Sequence, residues 1–322
     1  MKKSQIRILA ILAGIALLLG AALFALRYEP QEKPMETFVT IPTEEIDQLC
    51  FSYLNNTVNL QLQDGTWQVL ISGTDMVLPA KQDVVQAMLQ ELCSIRPQQM
   101  LEETALEQIP TTTRQATVEI LSGTGTSQVK ASQQIIVGSM NAITDQLYVQ
   151  VGDHVYLTDT RLMEIVSAPE LDLLAQYPIP KPDNHLWVSV ENAHGHFALS
   201  CDPSGTGTPG DTWYVQLGSV WADADQNAAY NFYFLTWDMH WKSTAAVITP
   251  DTNLADFGLD KPQVIYTLCY GDQLFRLYLG ENLPDGTTYA MCEGSPLIYT
   301  MDTLLASWLA EATDGSVRAP LP

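Results

Sequence analysis

Asp64-Gly65-Thr66-Trp67 is answered, nearly half the chain later, by Gly210-Asp211-Thr212-Trp213, and the two stretches share their surroundings. In each, turn residues that tolerate positive φ lead into a tryptophan, as in a hairpin. Upstream of each lies a strand-like run, Ile46 to Tyr53 in one case and Leu186 to Glu191 in the other. Downstream of each lies an amphipathic helix. In the first, Val84, Val85, Met88, Leu89 and Leu92 recur at three- and four-residue steps, opposite Gln86, Gln90 and Glu91. Arg96-Pro97 ends it, because the residue before proline avoids the helical region. Ala228, Ala229, Phe232, Tyr233 and Thr236 take the corresponding places in the second. Ile135-Ile136-Val137-Gly138 then matches Leu277-Tyr278-Leu279-Gly280, Tyr148 matches Tyr289, and Tyr156 matches Tyr299. Asp159 and Asp302 stand where they would cap closing helices, Arg161 to Val166 and Thr303 to Leu309. The interval from each marker to its counterpart drifts by only a few residues along the series. The expected fold is therefore α+β: two repeated, mostly antiparallel-sheet domains, each with an amphipathic helix. They cover 43–180 and 183–312, joined at Tyr177-Pro178-Ile179-Pro180-Lys181-Pro182, with 313–322 as a tail.

The remainder of the 322 residues is an N-terminal segment of different composition. Ile8 to Leu26 carries no charge, and at about 1.5 Å per residue it reaches roughly 28 Å, close to the ~30 Å hydrocarbon thickness of a bilayer. Lys2, Lys3 and Arg7 precede it, and Glu29, Glu32 and Glu36 follow Arg27. The positive-inside bias then predicts a cytoplasmic tip (1–7), a single-pass transmembrane helix in contact with the lipid bilayer (8–26), and a proline-bearing stalk (27–42). The C-terminal body is expected to be extracytoplasmic, at the cell membrane. A cleaved signal peptide is the rival reading of the same run, and it also exports the body. No cysteine lies near this end, which excludes a lipoprotein signal.

Charge excludes one class of function. The chain has 15 basic residues against 37 acidic ones, a net charge of −22, and four of the basic residues flank the N-terminal apolar run. Such a body repels nucleic acid. Apolar residues at 46% argue against disorder.

Several stretches resemble the bacterial domain-of-unknown-function family 4340. They are Leu26-Arg27-Tyr28-Glu29-Pro30, the Asp64 to Trp67 turn, Tyr148-Val149-Gln150-Val151-Gly152-Asp153 leading into Val155-Tyr156, and Leu254-Ala255-Asp256-Phe257-Gly258-Leu259-Asp260-Lys261-Pro262. Leu106-Glu107-Gln108-Ile109-Pro110 departs from the Gly-Leu-x-x-Pro turn expected in the first copy. The resemblance implies an extracytoplasmic anchored module and association with a membrane transport complex of the gliding-motility ABC type. It supplies no catalytic residues.

Several candidate sites have plain structural explanations. Asp223-Ala224-Asp225-Gln226-Asn227 opens like a calcium loop, but Ala228 and Phe234 occupy the places of the required glycine and bidentate glutamate. Helix capping explains these acids better. His194-Gly195-His196, with His185 nearby, lacks a completing ligand and reads as a polar turn. Gly123-Thr124-Gly125 and the Gly205 to Gly210 stretch lack the Gly-Lys-Ser/Thr ending of a phosphate cradle. No nucleophile elbow occurs. Of the five cysteines, Cys269 and Cys292 form the one pair worth testing for a disulfide. Catalytic, cofactor and metal residues are therefore expected to be absent. Aromatic residues crowd from Trp213 to Trp241, and Phe232-Tyr233-Phe234 cannot all face one side of a helix. Trp221, Tyr230, Tyr233 and Trp237 form the candidate binding surface. The expected function is a non-enzymatic accessory or binding component of an envelope or transport-type complex. The alternatives are an envelope glycan- or peptide-binding module and, behind it, an envelope hydrolase.

Overall fold

Asp64 and Gly65 adopt φ of 50° and 76°, so the chain reverses at the turn the sequence marks. That hairpin belongs to the first of two antiparallel sheets in the computed structural model, which describes residues 35–54, 56–101, 115–123, 129–182, 186–208 and 210–318.

The first unit contains β1 (Ile46–Tyr53), β2 (Asn56–Gln63), β3 (Thr66–Leu70), β4 (Val77–Pro79), β5 (Gln99–Met100), β6 (Ala116–Ser122), β7 (Ala131–Asn141), β8 (Gln146–Val151) and β9 (His154–Thr158). Helix α1 (Gln82–Ser94) separates β4 from β5, and α2 (Arg161–Val166) follows β9. The second unit repeats the series: β10 (Trp187–Asn192), β11 (Gly195–Ser200), β12 (Tyr214–Leu217), β13 (Val220–Asp223), α3 (Gln226–Asp238), β14 (Ser243–Val247), β15 (Val264–Tyr270), β16 (Gln273–Asn282), β17 (Thr287–Cys292), β18 (Leu297–Asp302) and α4 (Thr303–Glu311). The strand orders are β4-β3-β2-β1-β6-β7-β8-β9-β5 and β13-β12-β11-β10-β15-β16-β17-β18-β14, the same permutation twice. Even the irregularities recur, with a register shift after Val137 in β7 and after Leu279 in β16.

Duplication extends to side-chain detail. Gln82 Oε1 accepts the Trp67 N–H at 2.8 Å, while its Nε2 donates to the carbonyls of Trp67 and Ala80. Gln226 makes the same three bonds with Trp213 and Ala224. Each glutamine thus fastens the first turn of its helix to the strand that begins at the tryptophan. The end of each unit then folds back on the same place: Lys81 N–H donates to Leu173 O, and Asp225 N–H to Val317 O.

The expectation of an α+β chain led by a transmembrane helix is corrected here. The described residues form mainly two antiparallel sheets with few helices, and no helix among them is long and apolar enough to cross a membrane. The transmembrane and single-pass descriptions are not supported, and residues 8–26 lie outside the described residues. Strand content exceeds the expectation because the short Val/Ile/Thr/Tyr runs all find antiparallel partners, two for every strand but those at the sheet edges, so a thirteen-residue helix and one short closing helix suffice beside each sheet. Phe38, Val39 and Ile41, within the segment read as a stalk, are buried, and Phe38 N–H donates to Ile95 O at the end of α1. The Leu106 to Pro110 departure and His185 also lie outside the described residues.

The linker docks rather than dangles. Tyr177 N–H donates to the Tyr299 hydroxyl (2.8 Å), and Trp241 Nε1 donates to Tyr177 O (2.7 Å). Trp241 stacks on Tyr299 with ring centroids 4.3 Å apart and planes 14° from parallel. One contiguous buried apolar cluster runs through both units.

Candidate functional site

The sequence places Tyr230, Tyr233 and Trp237 on α3, and the helix brings them together with Phe234 at the i, i+3, i+4 and i+7 positions of one stripe. Asp225 starts the helix by accepting the N–H groups of Asn227 and Ala228, both at 3.0 Å. The acids that open like a calcium loop therefore contribute a helix cap.

The stripe divides by burial. Tyr233 is buried beside Trp213, and its hydroxyl donates to Pro182 O in the linker. It is a structural residue. Phe234 is half-buried and bridges Tyr230 (centroids 4.4 Å apart) and Trp237 (6.0 Å). Tyr230 is 53% exposed and Trp237 37% exposed. Phe232 points the other way, into the core between Phe197 and Trp308. Trp221 stands apart on β13, paired in register with Gln216, so it is not part of the stripe.

Two features escaped sequence reasoning. The first is a notch of about 320 Å³ beside the C-terminal end of α3, closed on its other side by α4. Leu235, Met301, Leu304, Leu305 and Trp308 supply its apolar lining, with Asp238, His240 and Asp302 at the polar edge. Leu304 is 82% exposed and Trp308 44% exposed, although both belong to an otherwise apolar helix. The part of the α4 surface that stays uncovered depends on how far α3 reaches. Asp302 caps α4, and the Leu304 N–H it accepts holds its carboxyl below the usual range. Desolvation opposes this, and the neighbouring Lys242 and His240 reinforce it. The notch thus joins an apolar floor to a polar edge on which Asp302 is paired with Lys242 at 3.4 Å, suited to an apolar side chain.

The second feature is a groove of about 890 Å³ in the first unit, between α1, the β2–β3 hairpin and the 3-10 turn Thr43–Glu45. No gap in hydrophobic periodicity announces it, since its walls are ordinary helix-surface glutamines.

The remaining candidates have structural roles. His194 N–H donates to Asn192 in a turn, and His194 Nε2 lies 3.2 Å from Glu311; His196 lies on β11. All five cysteines are free thiols. Strand β16 separates Cys269 on β15 from Cys292 on β17, so the pair the sequence suggested does not form. Asp202 organises the glycine-rich loop, accepting from Ser204, Thr206 and Gly207.

Residues 238–319 match the model of the family described as Domain of unknown function (DUF4340). The notch residues from Asp238 to Trp308 fall inside that segment. A comparison with curated proteins returned no match.

Proposed function

We propose that this protein, a member of the DUF4340 family through residues 238–319, is a non-enzymatic accessory or binding component of an envelope complex. It takes its partner on the second unit, along the strip from Tyr230 and Trp237 to the notch at Leu304 and Trp308. The observation that carries the reading is the exposure of two tryptophans, a tyrosine and a leucine on neighbouring helix surfaces of one unit. Tyr230, Phe234 and Trp237 line one face of α3 and the notch with Leu304 and Trp308 opens beside its C-terminal end, and exposed large apolar side chains of this kind mark protein-recognition surfaces. The equivalent helix of the first unit carries Gln86 and Gln90 in place of Tyr230 and Phe234, so the repeat itself does not require aromatics there. The body works outside the cytoplasm; the clustering of Lys2, Lys3 and Arg7 ahead of an uncharged run, followed by an acidic body, supports this placement.

Photo-crosslinking in intact cells tests the reading. A benzoylphenylalanine replacing Trp237 or Trp308 should yield a discrete adduct with an envelope protein, whereas one replacing the exposed Ile143 of the first unit should not. Equal background at all three positions would overturn it. A cysteine replacing Thr144 should react with a membrane-impermeant maleimide in whole cells; reaction only after lysis would refute the extracytoplasmic placement.

A further inference from the structure

The groove of the first unit has no counterpart occupant and no role in the fold described so far. Its floor is apolar, made by Ile46, Leu62, Trp67 and Leu89. Gln86 and Gln90 project along one wall and Thr43 and Thr66 stand opposite. Neither of those two glutamines has a hydrogen-bond partner among the described residues, in contrast to Gln82, which is fully engaged with Trp67 and Ala80. The ionisable groups lining the groove are Glu44, from the 3-10 turn, and Asp83, from the first turn of α1; no lysine, arginine or histidine lines it.

The second unit carries aromatic rings at the corresponding helix positions. Taking the Gln82 and Gln226 clamps as the common register, Gln86, Leu89 and Gln90 correspond to Tyr230, Tyr233 and Phe234. Those rings pack on one another and on Trp213, with Tyr230 and Phe234 centroids 4.4 Å apart. The first unit keeps a smaller, hydrogen-bonding set at the same positions and leaves a cavity of ligand size, within the range of about 300–1,000 Å³ typical of binding pockets.

The geometry points to this groove as a second binding site, for an extended peptide bearing lysine or arginine side chains. Free amides on one wall and hydroxyls on the other offer both donors and acceptors to a peptide backbone. The apolar floor takes the methylene stems of long cationic side chains, which cover apolar surface while their heads stay polar. Glu44 and Asp83 give those heads a matching charge. A flat sugar ring finds no exposed aromatic face there, because Trp67 is buried. An anionic ligand would meet two carboxylates and no cation. The site is distinct from the aromatic face of the second unit, so its failure leaves that reading standing.

The test uses the full chain and fluorescence anisotropy of two labelled peptides, Ala-Lys-Ala-Lys-Ala and Ala-Glu-Ala-Glu-Ala. The lysine peptide should bind saturably and the glutamate peptide should not. The double variant Gln86→Tyr with Gln90→Phe copies the second unit and leaves net charge unchanged, so it separates groove binding from general attraction to an acidic protein. It should weaken the lysine peptide at least tenfold while circular dichroism stays as in the parent. Should that variant fold poorly, Glu44→Gln with Asp83→Asn provides the second measurement, with a loss of similar size. Absence of saturable binding, equal binding of both peptides, or undiminished binding by a folded variant would each overturn the proposal.

Discussion

Gly280 shows how much one residue can carry. An added Cβ there would stand 2.1 Å from the Phe257 carbonyl oxygen, because the turn Leu254–Phe257 crosses directly over β16. Gly258 closes that turn at φ +67°, a left-handed conformation that suits glycine. Gly280→Ala must push the turn away, and overpacking of this kind costs about 1–3 kcal/mol. Gly138→Ala meets Tyr148 O at 3.2 Å and should cost less; urea unfolding of the two variants checks the order. Asp202 gives a prediction in pH. Desolvation is the largest single influence on its carboxyl and raises the pKa, but the hydrogen bonds from Ser204, Gly207 and Thr206 together outweigh it and bring the value down to about 2. Its folded-state pKa lies below the unfolded one, so its contribution is present above an ordinary aspartate pKa of about 4 and is lost as pH falls towards 2. In Asp202→Asn, stability should fall less steeply across that window, as read by the midpoint of thermal unfolding. Both residues were visible in the sequence, but only as a glycine after an apolar run and an acid before a glycine-rich loop. The atoms that make them matter arrive from distant segments.

Among the elements, α1 and α3 are one design with two surfaces. Their placement rests on the glutamine at the first helical position, which satisfies both backbone groups of a tryptophan on the neighbouring strand. Gln82→Ala and Gln226→Ala each leave those groups without their side-chain partner. Each should lower stability by about 1–3 kcal/mol, measured by chemical denaturation, with the two effects close to additive because the sites lie in separate units. A folded Gln82→Ala variant as stable as the parent would show the clamp to be incidental. The apolar stripe of α1 was legible in part from its spacing: Val85, Leu89 and Leu92 are buried and Met88 half-buried, but Val84 is exposed. So was the closing helix Arg161–Val166, with Asp159 receiving the Arg161 N–H. The clamp was not legible, because a glutamine at a helix start looks like any polar surface residue. The aromatic stripe of α3 was read in part: Tyr230 and Trp237 are exposed, whereas Tyr233 is taken up by the linker and Trp221 lies on another element.

For the whole molecule, the question is whether two similar units act as one. Tyr299 and Trp241 bind the backbone of Tyr177 from both sides, and the 3-10 turn Glu170–Leu173 lies against β14. The chain should therefore unfold in a single calorimetric transition. Trp241→Ala removes the stack and the hydrogen bond to the linker, and substitutions of this size in a core cost about 3–5 kcal/mol. In that variant the calorimetric peak should broaden or split, and proteolysis should open the segment between Pro178 and Leu186. One sharp transition in the variant would mean that the units are held together elsewhere.

Local rules were enough to read the duplication, the hairpin at Asp64-Gly65, the caps at Asp225 and Asp302, and the acidity of the chain, whereas the closing helix of the first unit takes Thr160 rather than Asp159 as its N-cap. Each depends on φ preferences, on side-chain period or on charge, and these act between residues close along the chain. The tertiary structure alone decided that each unit forms a nine-stranded antiparallel sheet, that the linker backbone is pinned at Tyr177 by Tyr299 and Trp241, and that Gln86 and Gln90 border a groove where the second unit carries Tyr230 and Phe234. Those outcomes depend on volumes and hydrogen-bond partners brought together from segments a hundred or so residues apart, and no window of sequence contains both sides of such a contact.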